Sequence, residues 1–254
     1  MAVEKAISFE KNIMDCKNSK YGNAAGYAVN DNGTHFVMKT NGKNDGLLLY
    51  LRAGEEKKSR EISNVGHAND CTCAGGKLYV VKGGGGENDR TILCIDQKSF
   101  EQTVLTTTIP SDVKDISSIE SIGGNRFLLG KGQTCYLCTL ENKVFKYQKS
   151  FRLESAPSQY DKPQGMCYAS GYLYKIYFKS DSIKNIILKY PIDINNIQAG
   201  TTLSASVMYV NKHQTDRSLF EIEAISNCGN DFYVSTNEKK KNSQNDSLYK
   251  ISLS

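Results

Sequence analysis

The residues that could do chemistry stand in short polar steps just ahead of apolar runs. His67, Asn69 and Asp70 lie in "GHANDCTCAGGKLYVV", Glu120 in "SIESIGG", Gln164 in "PQGMCYASG" and Glu223 in "EIEAISNCG". Acids gathered around one axis with an imidazole raise the pKa of at least one carboxyl by mutual repulsion, or else they hold a cation. A divalent ion with oxygen ligands, calcium or magnesium, suits Asp70, Glu120 and Glu223. If the site moves protons instead, His67, Glu120 and Glu223 are the acid–base groups, with Asn69 and Gln164 binding substrate. The plain reading is that such polar residues hydrogen-bond neighbouring loops or channel water.

A second pattern is cationic. Lys39 ("VMKT"), Lys82 ("VVKG"), Lys131 ("LGKG") and Lys179 ("YFKS") each follow an apolar run, Arg90 closes the polar loop after Lys82, and Lys239 to Lys241 form a final cluster. If they share a face, these residues attract an anion; otherwise they are ordinary solvated lysines. The glycine run Gly83–Gly86 leads into Glu87-Asn88-Asp89 and a strand. A phosphate loop needs a helix N-terminus there, so a mouth-side loop is expected instead. His213 and Asp216 fall in another loop of the same face, and no GxSxG elbow is present.

These residues need a scaffold, and the scaffold is repetitive. Alternating apolar and polar positions, rich in β-branched and aromatic residues and broken by Gly, Asn, Asp and Ser, predict an all-β chain of short strands. Self-similar units begin near Ala25, Asn69, Ser118, Pro163 and Glu221. Each reads as a strand, a Gly/Asn turn, an aromatic-rich strand, a polar loop and a third strand. In four of them a further strand follows: "SREISNV", "EQTVLTTTI", "KVFKYQKSFRL" and "TLSASVMYV". The fifth lacks one, and "VEKAISFEKNI" near the N-terminus supplies it. That predicts a five-bladed β-propeller, a single domain over residues 1–254, with the N-terminal strand closing the last blade and removing an exposed sheet edge. Aligning the blades on Phe36, Leu78, Phe127, Leu173 and Phe232 puts Ala25, Asn69, Glu120, Gln164 and Glu223 at equivalent channel positions.

Composition fits an ordinary globular chain: 254 residues, 23% charged and 39% hydrophobic, with a formal net charge of +5. That charge is too small to argue for a nucleic-acid polymer as partner, and no apolar run reaches the roughly 18 residues of a membrane helix. The opening "MAVEKAISFEKN" does not read as a leader, so a cytoplasmic, reducing setting is expected, with the eight cysteines as thiols. Cys135-x-x-Cys138 has no second ligand pair, and in a strand its sulfurs would face opposite ways.

The units "GHANDCTCAGGKLYVV", "PQGMCYASGYLYKIY" and "EIEAISNCGNDFYVSTN" resemble blades of bacterial helveticin J-like propellers. More loosely they are similar to gluconolactonase-like and calcium-dependent apyrase-like propellers. The resemblance covers most of the chain but rests on the generic blade pattern. It implies a propeller with a site at the channel mouth, in bacteriocin-like proteins on one side and divalent-metal hydrolases on the other. Neither ligand set is matched residue by residue, so no catalytic role carries over.

Divergent residues at the channel positions and the absence of Trp argue against a multivalent lectin. The expected function is that of a monomeric hydrolase or lyase acting on a small anionic molecule at the channel mouth. The alternative is a non-catalytic ligand-binding or protein-interaction propeller.

Overall fold

The computed structural model describes residues 2–41, 44–83, 89–180, 182–212, 216–240 and 243–253. Among them every regular element is a β-strand. The pairings resolve into five antiparallel units of four strands. The first is β2 (Asn23–Val29), β3 (His35–Thr40), β4 (Gly46–Leu51) and β5 (Lys58–Ile62). The second is β6 (Cys71–Ala74), β7 (Lys77–Val81), β8 (Ile92–Asp96) and β9 (Gln102–Thr107). The third is β10 (Ser118–Ser121), β11 (Arg126–Lys131), β12 (Thr134–Glu141) and β13 (Val144–Leu153). The fourth is β14 (Lys162–Ala169), β15 (Tyr172–Phe178), β16 (Asn185–Pro191) and β18 (Val207–Asn211), with the short β17 (Thr202–Leu203) lying beside β13.

The fifth unit takes β19 (Leu219–Cys228), β20 (Asp231–Lys240) and β22 (Ser247–Leu253) from one end of the chain and β1 (Val3–Asp15) from the other; β21 (Ser243–Gln244) pairs with β20. β1 runs antiparallel to β22 from Ile7 opposite Leu253 to Asp15 opposite Ser247. The N-terminal strand therefore completes the last unit, as its alternation predicts. Two parallel joints, β1 with β18 and β9 with β13, link outer strands of neighbouring units.

The first strands form a closed cycle of neighbours, β2 to β6 to β10 to β14 to β19 and back to β2. The apolar core is divided in the same way, into five clusters that each fill the gap between two successive units. Leu128 and Leu137 meet Tyr177 and Ile186 between the third and fourth; Tyr79 and Ile92 meet Phe127 and Phe145 between the second and third. Phe220 and Val234 join Tyr174 and Ile187, Met38 and Leu48 join Leu78 and Leu93, and Leu248 closes against Tyr27 and Val37. Second strands are buried on both faces, which explains apolar runs such as "YLYKIYF" at Tyr172–Phe178. Truncating one such side chain, Phe127 for example, is worth about 3–5 kcal/mol.

Neighbouring first strands do not form ladders with each other, so their edges need other partners. Buried side chains supply them. Asn69 donates to the Ser117 carbonyl at 2.6 Å, and Asn185 bridges the fourth and fifth units through Phe220 O at 2.7 Å and Ile222 N at 2.8 Å. Asp246 accepts from Ala24 N at 3.0 Å and Glu238 N at 3.1 Å and pairs with the fully buried Lys39, locking the fifth unit to the first.

Candidate functional site

The first strands start at one end of the cycle, and there they enclose a cavity of about 860 Å³. Its walls come from four units: His67 and Asn69 before β6, Asp115, Ser117 and Lys131 around β10 and β11, Lys162 and Gln164 on β14, and Glu221, Asn237 and Lys239 on β19 and β20. Of the residues singled out from sequence, His67, Asn69, Gln164 and Lys131 are thus brought together.

The acids are layered rather than gathered. Asp70 is fully buried one step below the cavity. Its Oδ1 accepts from Cys71 N at 3.0 Å, and its Oδ2 accepts from Ile119 N at 3.1 Å and Met166 N at 3.2 Å. One carboxyl therefore ties the first strands of three units. Gly165 makes room for it: a Cβ there would lie 2.9 Å from both Asp70 Oδ1 and Ala224 Cα. Burial pushes Asp70 up to about 7, against the pull of Lys175 and the three amides.

Glu120 lies deeper, with Oε1 accepting from Tyr168 N and Oε2 from Thr72 Oγ1, both at 3.0 Å. Burial lifts it to about 8. Among the described residues no group of three or more His, Cys, Asp or Glu side chains is placed to hold a metal ion. The expected cage of Asp70, Glu120 and Glu223 is not assembled, because the oxygens of Asp70 and Glu120 are taken by backbone amides and Thr72.

Glu223 is buried beneath Glu221, a residue the sequence reading passed over. The β19–β20 register slips between Ile222 and Ala224, and this bulge seats Glu223 behind Glu221 instead of at the cavity wall. The two carboxyls share a hydrogen bond. Glu221 Oε1 also accepts from Gln164 Nε2 at 2.5 Å, and its Oε2 from Asn237 Nδ2 at 3.4 Å. Burial raises both acids, Glu223 the further, with the neighbouring Glu221 charge as its second cause. A carboxyl pair whose hold on a proton is strengthened by burial, with one member on a cavity wall, can give or take a proton.

The cations expected to ring the mouth are mostly occupied elsewhere. Lys39 is buried against Asp246. Lys82 is buried and lies 3.2 Å from Asp89. Arg90 donates to the Ile109 carbonyl, and Lys179 is exposed and outside the cavity wall. Lys131 does line the cavity, 2.5 Å from Asp115. Lys162 and Lys239 line it as well, and sequence reasoning missed the first of them. Gly84–Gly86, His213 and Lys241 lie outside the described residues, whereas Asp216 is exposed and pairs with Lys240. In a groove of about 590 Å³ on the opposite face, Lys77 pairs with Asp96 at 2.7 Å and Asn30 with Gln97 at 2.8 Å. All eight cysteines are free.

No family model matches the chain, and no curated protein matches it. Solved structures do. The Myxococcus xanthus glutaminyl cyclase superposes with a TM-score of 0.62 at 12% identity, covering 99% of this chain and 98% of that one. A GH43 endo-arabinanase from Bacillus licheniformis gives 0.56 at 11% identity, over 94% and 97%. Hydrazine synthase from Kuenenia stuttgartiensis gives 0.49 at 12% identity; the chain covers 59% of that protein's length, and 89% of its own is matched. The fold is of the propeller type, and enzymes are among its neighbours. No helveticin J-like protein is named among them, so the relation shown is to propellers in general.

Proposed function

We propose that the chain is a five-bladed β-propeller enzyme, a hydrolase or lyase, that acts on a small anionic substrate in the cavity at the channel mouth. The closed cycle of five first strands and the five inter-unit cores support the blade count. The observation that carries the functional reading is the Glu221–Glu223 pair. Glu221 meets the substrate from the cavity wall, and Glu223, buried behind it, holds the shared proton and sets when Glu221 can donate or accept. Gln164 and Asn237 orient the Glu221 carboxyl. His67 faces the cavity from the second unit, so a substrate lies between an imidazole and a carboxyl, a suitable arrangement for removing a proton on one side and delivering one on the other. Asp70 and Glu120 hold the strands that carry these groups.

The test is turnover of a panel of small anionic esters and amides, and of hydroxy and amino acids open to elimination. The glutaminyl cyclase likeness adds an N-terminal glutaminyl peptide to that panel. Glu221→Gln should lower turnover of any active substrate by about 100-fold or more, the usual worth of a positioned acid–base group, with thermal unfolding unchanged. A Glu221→Gln protein as active as the parent refutes the reading.

A further inference from the structure

Lys162 and Lys239 stand at the rim on either side of Glu221. Lys162 opens β14 opposite Phe178, and Lys239 is the penultimate residue of β20, opposite Leu219, two residues from Glu221 along β19. Both are exposed and both line the cavity. Around them, cations of the same face are matched to acids: Lys131 to Asp115, Lys82 to Asp89, Arg217 to Glu238, Lys240 to Asp216. No acid lies within ion-pair distance of Lys162 or Lys239 among the described residues. Lys239 is nevertheless near enough to draw on the Glu221 charge.

We propose that Lys162 and Lys239 clamp the anionic end of the ligand, and that this end is a carboxylate. The assignment rests on the cavity being the working site. It replaces the ring of Lys39, Lys82, Arg90 and Lys179 with two residues that carry charge into the cavity.

The class of anion follows from charge and donors. Three lysines on the wall, set against Asp115 and Glu221, leave one positive charge, which matches a monoanion. A phosphate dianion would leave the site negative beside the Glu221 carboxyl. It would also want several convergent N–H donors, and the mouth has few to spare. Among the described residues there is no helix to offer its N-terminus, Gln164 and Asn69 already donate to Glu221 and Ser117, and the amides of Ile119 and Met166 are held by Asp70. Two ammonium groups suit the two oxygens of a carboxylate. An anion held there sets the rest of a small molecule against Glu221.

Acetate and inorganic phosphate, titrated separately at about pH 8 into the ¹⁵N-labelled protein, provide the test, with the Gln164 and Asn237 side-chain amides as reporters. Acetate should shift them and bind at least about tenfold more tightly than phosphate. Lys162→Ala and Lys239→Ala should each weaken acetate about tenfold, and added salt should weaken it in the parent. Tighter binding of phosphate overturns the carboxylate assignment. Undiminished acetate binding in both lysine variants overturns the clamp, even if Glu221→Gln still abolishes turnover. Acetate binding that depends on both lysines, in a protein that turns over nothing in the panel, upholds the clamp and removes the enzyme reading instead.

Discussion

Replacing Glu120 by Gln should make the protein more stable at alkaline pH while leaving it nearly unchanged at about pH 4. Glu120 is buried, and burial lifts its carboxyl from 4.5 to about 8. The unfolded chain releases that proton near 4.5 and the folded protein keeps it until about 8, so this group's contribution to stability falls as pH rises across that window. With each tenfold change in proton affinity worth about 1.36 kcal/mol, the proton that Glu120 releases only on unfolding lowers folding stability by about 1.4 kcal/mol at about pH 5.5 and about 4 kcal/mol at about pH 8, relative to acid where both states keep it. Gln reproduces the protonated form. Its oxygen accepts from Tyr168 N, and its amide donates to Thr72 Oγ1, which also accepts from Ser121 N at 3.2 Å. The variant and the parent should therefore agree to within about 0.5 kcal/mol at about pH 4, and the variant should lead by about 1.4 kcal/mol at about pH 5.5 and by about 4 kcal/mol at about pH 8, so the gap opens by about 3 kcal/mol between the last two. Urea unfolding of both proteins at the two pH values measures it, and contributions from Asp70, Glu221 and Glu223 largely cancel in the comparison. A gap that stays flat, or a variant that is the weaker protein at the higher pH, would show that Glu120 is a stabilising carboxylate and that burial does not dominate its environment.

Deleting residues 3–13 should leave the fifth unit with three strands and an exposed β22 edge, so the truncated protein should aggregate or lose its cooperative melt; one that melts like the parent argues against this closure. Denatured without reductant, the chain should titrate about eight thiols, one for each free cysteine. The native protein should react far more slowly, because burial raises Cys16, Cys71, Cys73, Cys135, Cys138 and Cys167. A lower denatured titre indicates a disulfide.

The repeat was legible because second strands are buried on both sides and read as apolar runs, and because β1 alternates like the fourth strands it imitates. The site was legible only to within a bulge or a turn. Glu223 and Glu221 share a parity in sequence, and nothing local announces that β19 slips between Ile222 and Ala224. Counting back from the second strands sets Glu120 at the level of Asn69. The second unit turns through Gly75 and Gly76 between Ala74 and Lys77. The third turns through Gly123, Gly124 and Asn125, closed by Ile122 N to Arg126 O at 3.1 Å. The register puts Glu120 opposite Leu128 and Thr72 opposite Tyr79, so Glu120 sits level with Thr72, three residues below Asn69. The lysines misled for a different reason. Sequence shows a lysine near the end of four second strands, but not that Asp246, Asp89 and Asp115 wait for three of them.

The pairing of β1 with β22 also orders events during synthesis. Asp15 leaves the ribosome about 230 residues before Ser247, its partner, a delay of roughly ten to fifty seconds at ordinary elongation rates. Through that interval four units can stack into an open arc while β1 waits for its antiparallel neighbour β22. Its parallel partner β18 is finished earlier, and the joint from Val3–Val207 to Ile7–Asn211 can hold the waiting strand against the fourth unit. The nascent chain then has a docking place for β1, and β22 arrives at a gap whose two walls, β20 and β1, are already standing.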